Sequence, residues 1–324
     1  STAAQVNGRR LLNYTVPGTD ARSPVFPNLL STADPNFQTP PNVTGFASDY
    51  QIMYAHNASL QIEREILKDM SLNLQYSYWG HRFGAYTRDI NLSAPTGTLA
   101  DGRPIYRGSL GRPDTRFRQI NLIESGSVSN YNGIDVTLRK RFNKGLLLSA
   151  SYSWSHALAD SELDGSTISD PSNRARDYGN ASADVRHNFT AQGLWAPQFK
   201  FIRGFEFSSV FFYNSGYPIN AQAGADLNND LVLNDRIIGR GRNAFKGPTF
   251  AQMDFRLSRK FRFKERHTLE LISESENIMN RFNPGCSIAG CTGAVVNRDG
   301  AADFGRVTST RPGRVFQFGM RYSF

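Results

Sequence analysis

The sequence predicts an all-β fold, an antiparallel barrel that crosses a membrane with strands. Three observations lead there. Apolar and polar residues alternate through many strand-length segments, short and long connections alternate between them, and aromatic residues gather at both strand ends. In a chain of 324 residues, 12% aromatics and 28 glycines favour strands and turns over helices. No run approaches the roughly 18 apolar residues that a spanning helix needs. The opening STAAQVNGRRLLNY lacks the basic-then-apolar order of a signal peptide, which implies a mature or excised chain.

Each strand follows from a period of two. In QIMYAHNASLQIE (51–63), Ile52, Tyr54, Ala58, Leu60 and Ile62 share a face opposite Gln51, Asn57, Ser59, Gln61 and Glu63. SLNLQYSY (71–78) sets Leu72, Leu74, Tyr76 and Tyr78 against Ser71, Asn73, Gln75 and Ser77. One long strand is expected over roughly 117–142, interrupted near ESGSVSN and reaching well above the bilayer. Its end, GIDVTLRKRF, opposes Ile134, Val136, Leu138 and Phe142 to Asp135, Thr137, Arg139 and Arg141. LLLSASYSWS then places Leu146, Leu148, Ala150, Tyr152 and Trp154 against a row of serines. Less regular strands are expected at 184–195, 203–215 and 267–282. Before the last of these, AQMDFRLSRKFRF alternates Met253, Phe255, Leu257, Phe261 and Phe263 with Asp254, Arg256, Ser258, Lys260 and Arg262. RVFQFGMRYSF closes the chain with Phe316, Phe318, Met320, Tyr322 and Phe324 on every second position.

Alternation alone does not say which face is wet, because a lipocalin-like soluble barrel hides its apolar face and a membrane barrel shows it to lipid. Connection length decides. EILKD (65–69), NKG (143–145), APQFKFI (196–202) and KER (264–266) are short. They alternate with long polar stretches at roughly 84–116, 156–183, 216–249 and 283–312. Outer-membrane barrels have short periplasmic turns and long external loops. Rising strands then end outside in Tyr76/Tyr78, Tyr152/Trp154 and Phe211/Tyr213. Descending strands end below in Phe142, Phe261/Phe263 and Tyr322/Phe324. Rings in two belts suit two lipid–water boundaries. Phe324 falls in the lower belt, and a terminal aromatic on an alternating strand resembles the signal read by the outer-membrane barrel-assembly machinery.

Nine strands result, and the first descends, so residues 1–49 are expected outside the cell as a loop or irregular segment. Single-chain bacterial barrels have an even count. A tenth strand hides in 1–49, where GRRLLNYTV is a candidate, or strands upstream complete the wall. Residues 50–324 are read as the C-terminal portion of a larger barrel.

The net charge of +9 comes from arginines spread along the chain. The one tight cluster, RKRFNKG (139–145), sits at a strand end, where basic residues near lipid headgroups are ordinary. No nucleic-acid partner is expected. Cys286 and Cys291 lie close enough to close a small structural disulfide loop, and their spacing is not that of a C-x-x-C redox site. In DLNNDLVLNDR, the residues Asp226, Asn228, Asp230, Asn234 and Asp235 resemble the start of a calcium loop. Leu231 stands where an EF-hand has glycine, and no glutamate closes the twelfth position. An Asx-rich external turn remains the alternative. No cofactor is required, and calcium is the one ion the sequence suggests. The five histidines have no metal spacing, and Asp184 with His187 is the one acid–base pair that hydrolysis could use.

Several stretches together carry a family resemblance. YQIMYAHNASLQIEREIL, SASYSWSHALADS, ADVRHNFTAQGLW, NSGYPINAQAGADLNNDLVLNDR, RGRNAFKGPTFAQMDFRLSRKFRF and the closing FGRVTST…RVFQFGMRYSF occur in the expected order. They resemble the barrel of TonB-dependent receptors, with the Oar-like branch the nearest, over Tyr50 to Phe324. The resemblance implies a 22-stranded barrel in the bacterial outer membrane, with lipid and lipopolysaccharide around it. It implies no enzyme but a transporter that captures an unknown ligand on its external loops. A lumenal plug and a TonB box, which couple such receptors to the TonB system, have no counterpart in this sequence. The rivals are a complete, passive ten-stranded porin or adhesin and an outer-membrane hydrolase. The loops at 161–184 and 216–249 are the expected ligand-capturing segments.

Overall fold

A computed structural model of the chain describes residues 2–6, 11–15, 40–161, 165–263, 266–286, 294–298 and 301–324. Strands β1 (Thr2–Val6) and β2 (Leu11–Thr15) pair with each other, and β3 (Asn42–Phe46) follows. The wall begins with β4 (Tyr54–Leu67) and β5 (Met70–Asp89). A small hairpin, β6 (Gly97–Thr98) and β7 (Pro104–Ile105), precedes β8 (Gln119–Asn143) and β9 (Leu146–Ala159). The short β10 (Gly179–Asn180) leads to β11 (His187–Trp195) and β12 (Phe205–Asn214). A second hairpin pairs β13 (Pro218–Ile219) with β14 (Phe245–Lys246). The wall ends with β15 (Phe250–Phe263), β16 (His267–Glu276) and β17 (Val315–Ser323).

The wall strands lie in the order β17-β16-β15-β12-β11-β9-β8-β5-β4, each antiparallel to its sequence neighbour in the wall. These are the nine strands the sequence predicts, in the predicted order. Their ends differ in places. The first runs from Tyr54 to Leu67, so its turn is Lys68-Asp69 alone. β16 stops at Glu276 because Asn277 closes an Asx loop there, accepting from the Arg281 amide at 3.1 Å and donating to its carbonyl at 2.9 Å. The stretch expected to be irregular or looped at 1–49 holds β1, β2 and β3. The candidate GRRLLNYTV does contain β2, which pairs with β1 rather than joining the wall.

Tight connections gather at one end. Lys144 and Gly145, with φ of 50° and 79°, form the two left-handed positions of a type I′ hairpin. The amide of Ala196 donates to the Gly145 carbonyl at 2.7 Å, tying this turn to the next. At the other end lie the long loops 90–118, 160–186, 215–249 and 277–314.

Cross-strand pairing sets the two faces. Phe316, Phe318 and Met320 stand on the same side as Leu271, Leu257, Phe207, Trp195 and Leu146. Phe318 and Met320 are 77% and 73% exposed, whereas Ser258 on the opposite face is 1% exposed. The oily face is therefore the outer one, as expected. No dry centre gathers Leu148, Phe255 and Phe318, and the wall surrounds a polar face.

β5 and β8 have 20 and 25 residues, about twice the 9–11 needed to cross a bilayer. A register shift at His81/Gly84/Ala85, opposite Ser127 and Ser125, marks the predicted interruption as a bulge inside one strand. Beyond Ser129, β9 no longer covers β8. There β3 pairs in parallel with Gln119–Ile123 and satisfies that edge.

The sheet is open. β4 and β17 are its edges, and both run from the long-loop end to the short-turn end. Joined directly they would make a parallel seam, so an all-antiparallel wall closes only with an odd number of further strands. Edges of this kind cannot stand unpaired in hydrocarbon, where no water satisfies them.

Candidate functional site

The long loops interlock through buried charge rather than through a large apolar core. A small core cluster among the described residues, Ile219, Cys286, Ala294 and Val295, packs against Tyr217, Phe245 and Val307. Elsewhere arginines hold loop to loop. Arg112 reaches back to Asp89 at the top of β5 at 2.7 Å, and both are buried. Arg103 in the β6–β7 hairpin bonds Asp235 at 2.6 Å and the Arg236 carbonyl at 2.8 Å. Arg236 in turn bonds Asp177 at 2.5 Å and the Ser169 hydroxyl at 3.0 Å. Backbone bonds from Tyr106 and Gly108 to the carbonyls of Asn228 and Asn229 complete the seam. Buried ion pairs of this kind hold geometry, because removing either partner strands a charge away from water.

Segment 226–236 is the keystone. Asp226 accepts from the amides of Asp230 and Leu231 at 3.1 and 2.8 Å. Asp230 accepts from the Val232 amide at 2.8 Å and from the Asn228 side chain at 3.2 Å. Asp235 accepts from the amides of Leu227 and Asn228, and Asn234 donates to the carbonyls of Thr167 and Ile168. Burial, reinforced by the charges of Asp226 and Asp235, pushes the Asp230 carboxyl up to about 7 against the pull of its hydrogen bonds. Burial also raises Asp235, opposed by its amide donors and Arg103. Asp226, Asn228, Asp230 and one Asp235 oxygen thus accept from N–H groups of their own segment, in the manner of an Asx turn, whereas Asn234 Oδ1 accepts from none and the other Asp235 oxygen takes Arg103. Among the described residues no three His, Cys, Asp or Glu side chains group as a metal site.

Two cavities flank Arg236. One, of about 200 Å³, is lined by Ser169, Asp177, Asn220, Asn234, Arg236 and Asn243. The other, of about 220 Å³, has Arg103, Arg176, Arg240 and Gly239 in its wall. Two polar atoms at the first, Arg236 Nε and Asn234 Oδ1, have no hydrogen-bond partner. A buried donor and a buried acceptor without partners are what a small polar solute satisfies on entry. Further down, the polar face of the wall holds a third cavity of about 490 Å³, with Gln192, Ser208, Asp254, Arg256, Glu274 and Gln317 in its lining. Arg256 bonds Glu274 at 2.8 Å there. Arg256, Lys260 and Arg321 all approach the buried Glu270 at 3.8–3.9 Å.

Other predicted positions fall as follows. Asp184 and His187 are not brought together. The Asp184 carboxylate takes the Ala157 amide and Arg186, while the His187 ring shares a hydrogen bond with Tyr152 at 2.8 Å. Cys286 is buried in the loop core, and Cys291 lies outside the described residues, so their pairing stays an expectation. Phe316, Phe318, Met320, Tyr322 and Phe324 line the exposed outer side of the edge strand and the residue after it. Sequence reasoning passed over Asp89, Arg103, Arg112 and Arg236. Only Arg236 carried a signal, as the residue directly after the Asx-rich run.

A family model described as an outer membrane β-barrel domain matches residues 2–240 and 234–317. No curated protein matches. Among solved structures, the outer membrane transporter YddB from Escherichia coli is 10% identical with a TM-score of 0.46, over 88% of this chain and 34% of that one. A mutant of the ferric enterobactin receptor PfeA from Pseudomonas aeruginosa is 16% identical with a TM-score of 0.49, over 84% and 31%. The FrpB iron transporter from Neisseria meningitidis is 12% identical with a TM-score of 0.47, over 87% and 33%. The chain spans about a third of the length of these solved proteins.

Proposed function

This chain belongs to the outer membrane β-barrel domain family and resides in the bacterial outer membrane, and from that premise we propose that it is wall and external loops of a TonB-dependent, Oar-like receptor. Its loops capture a ligand, and uptake proceeds along a plugged lumen of 22 strands. One observation carries the reading. The long loops share one end of the wall, and the cap they interlock into keeps polar cavities at Arg236, above a polar, charge-lined face. A passive pore has no need of a built cap, whereas a receptor needs rigid loops to hold a ligand. Energy coupling would pass through a plug and TonB box of such a receptor, and lipopolysaccharide would surround the loop end. The residues involved bind and orient, with no covalent step.

Planar-bilayer recording separates this from the complete small barrel. The purified chain by itself should give no steady unitary conductance, because its nine wall strands leave the β4 and β17 edges unpaired. A stable channel from this chain alone would establish the passive pore instead.

A further inference from the structure

At the short-turn rim, basic side chains are left without acidic partners. Arg64, Lys140 and Arg259 stand on the outer, apolar face, opposite Leu72, Met70 and Leu271 in the strand pairing. Lys68, Lys144 and Arg203 occupy the turns below them. Among the described residues of this rim, only Lys260 and Arg321, both on the inner face, come within ion-pair distance of a carboxylate. At the loop end, by contrast, the buried Arg103, Arg112 and Arg236 and the half-buried Arg176 each hold one.

Arg259 is the most constrained of these cations. Its guanidinium carbon lies 4.6 Å from the ring centre of Phe205 and 4.7 Å from that of Phe261. Two rings fix the plane by cation–π attraction, and no carboxylate occupies its donors. A planar fork with free N–H groups, held at the level of the aromatic belt, matches a phosphodiester oxygen pair. The neighbouring turn adds Phe199 and Phe201, which is 93% exposed, on either side of Lys200. Rings so exposed beside cations suit the boundary between acyl chains and headgroups.

We propose that this rim binds the phosphate headgroups of anionic phospholipids in the inner leaflet, with Arg259 between Phe205 and Phe261 as its principal site. The uncompensated charge selects an anionic headgroup over a zwitterionic one. The position among the short turns selects the phospholipid leaflet over the lipopolysaccharide one.

Native mass spectrometry of the full chain in detergent micelles tests this, with dioleoylphosphatidylglycerol, dioleoylphosphatidylethanolamine and lipid A offered at equal concentration. Phosphatidylglycerol should be retained preferentially, and Arg259→Gln should weaken its retention about five-fold, the equivalent of about 1 kcal/mol per cation. Arg314→Gln is the control, because its guanidinium lies 5.5 Å over Phe316 at the loop end. Should Arg259→Gln fail to fold, Arg203→Gln in the exposed turn makes the same measurement with a smaller expected loss. Equal retention of the two phospholipids, preference for lipid A, or an equal loss in Arg314→Gln would each overturn the proposal. None of these outcomes bears on the ligand-capturing role of the loops.

Discussion

Tyr322 and His267 share a hydrogen bond of 2.6 Å with their rings stacked at 15°, one strand apart at the lower end of the wall. Tyr152 and His187 repeat the couple at the upper end, at 2.8 Å. Each pairs an amphipathic ring with a polar one where lipid meets water, so both belts are cross-linked as well as aromatic. At the lower end the couple fastens the last residues of the edge strand β17 to the start of β16. Tyr322→Phe keeps the stack and loses about 1 kcal/mol of hydrogen bonding. Tyr322→Ala loses the ring contact as well, worth roughly a further 0.5–1.5 kcal/mol beyond its burial. Urea midpoints of the chain in micelles should fall in the order wild type, Tyr322→Phe, Tyr322→Ala. Equal midpoints for the two variants would show that the ring contact contributes nothing.

The Lys144-Gly145 turn gives a second prediction. A methyl group at Gly145 would lie 2.1 Å from the Ala196 carbonyl oxygen, and the backbone there is left-handed at 79°. Gly145→Ala therefore strains one turn and pushes the neighbouring turn away. A cost of about 1–3 kcal/mol is expected, read as a lower urea midpoint. Lys144→Asn, which suits the first left-handed position of the same turn, should be neutral or slightly stabilising. Alanine tolerated at 145 would show that the two turns are not in contact.

How much of this was legible in the sequence follows from where the physics is local. Alternation such as Leu257, Arg256 and Ser258 in β15 is written in adjacent residues, so strand identity and order could be read directly, and the alternation of short and long connections then told which face is wet. The hairpin at Lys144-Gly145 was equally local. Strand ends were less so. That of β16 depends on Asn277 catching Arg281, and the first strand's extension to Leu67 depends on its partner Met70. The cap was hidden, because Arg112 finds Asp89 and Arg103 finds Asp235 across separations of 23 and 132 residues. No periodicity records such pairs. The Asx-rich run announced itself by composition, but the left-handed turns at Asn229 and Leu231, with φ of 55° and 73°, did not.

Arg103 tests whether the cap is one unit. Its guanidinium serves Asp101, Asp235 and the Arg236 carbonyl together. Arg103→Met leaves the buried Asp235 without its cation, at a cost of about 3–5 kcal/mol. Because the wall is held by separate backbone ladders, the loss should be confined to the loops. Trypsin should cut at 236–242 much faster in the variant, while the far-ultraviolet β signal stays unchanged. Unaltered cleavage would mean the loops close without this contact. Arg103→Lys should fall between, since an ammonium replaces the charge but cannot span three acceptors.

Asp230 makes the cap pH-dependent, with a sign fixed by the direction of its shift. Burial pushes its carboxyl up to about 7 in the folded cap, from an ordinary 3.8. The folded cap therefore binds a proton more tightly than the open one, and stability contributed by this group is complete below about pH 4. It is lost as pH rises from there through about 7, where burial leaves a charge beside Asp226 and Asp235. Amide exchange across 226–236 should accordingly quicken between pH 4 and 8 beyond its intrinsic pH dependence. Asp230→Asn keeps the acceptor for Val232 and carries no charge, so it should flatten that excess and protect the segment at pH 8. Millimolar calcium supplies the decisive contrast. If the oxygens serve the backbone, calcium changes nothing at pH 8 in wild type. If calcium instead protects the wild-type segment and loses its effect in Asp230→Asn, the run is a cation site and the Asx-turn reading fails.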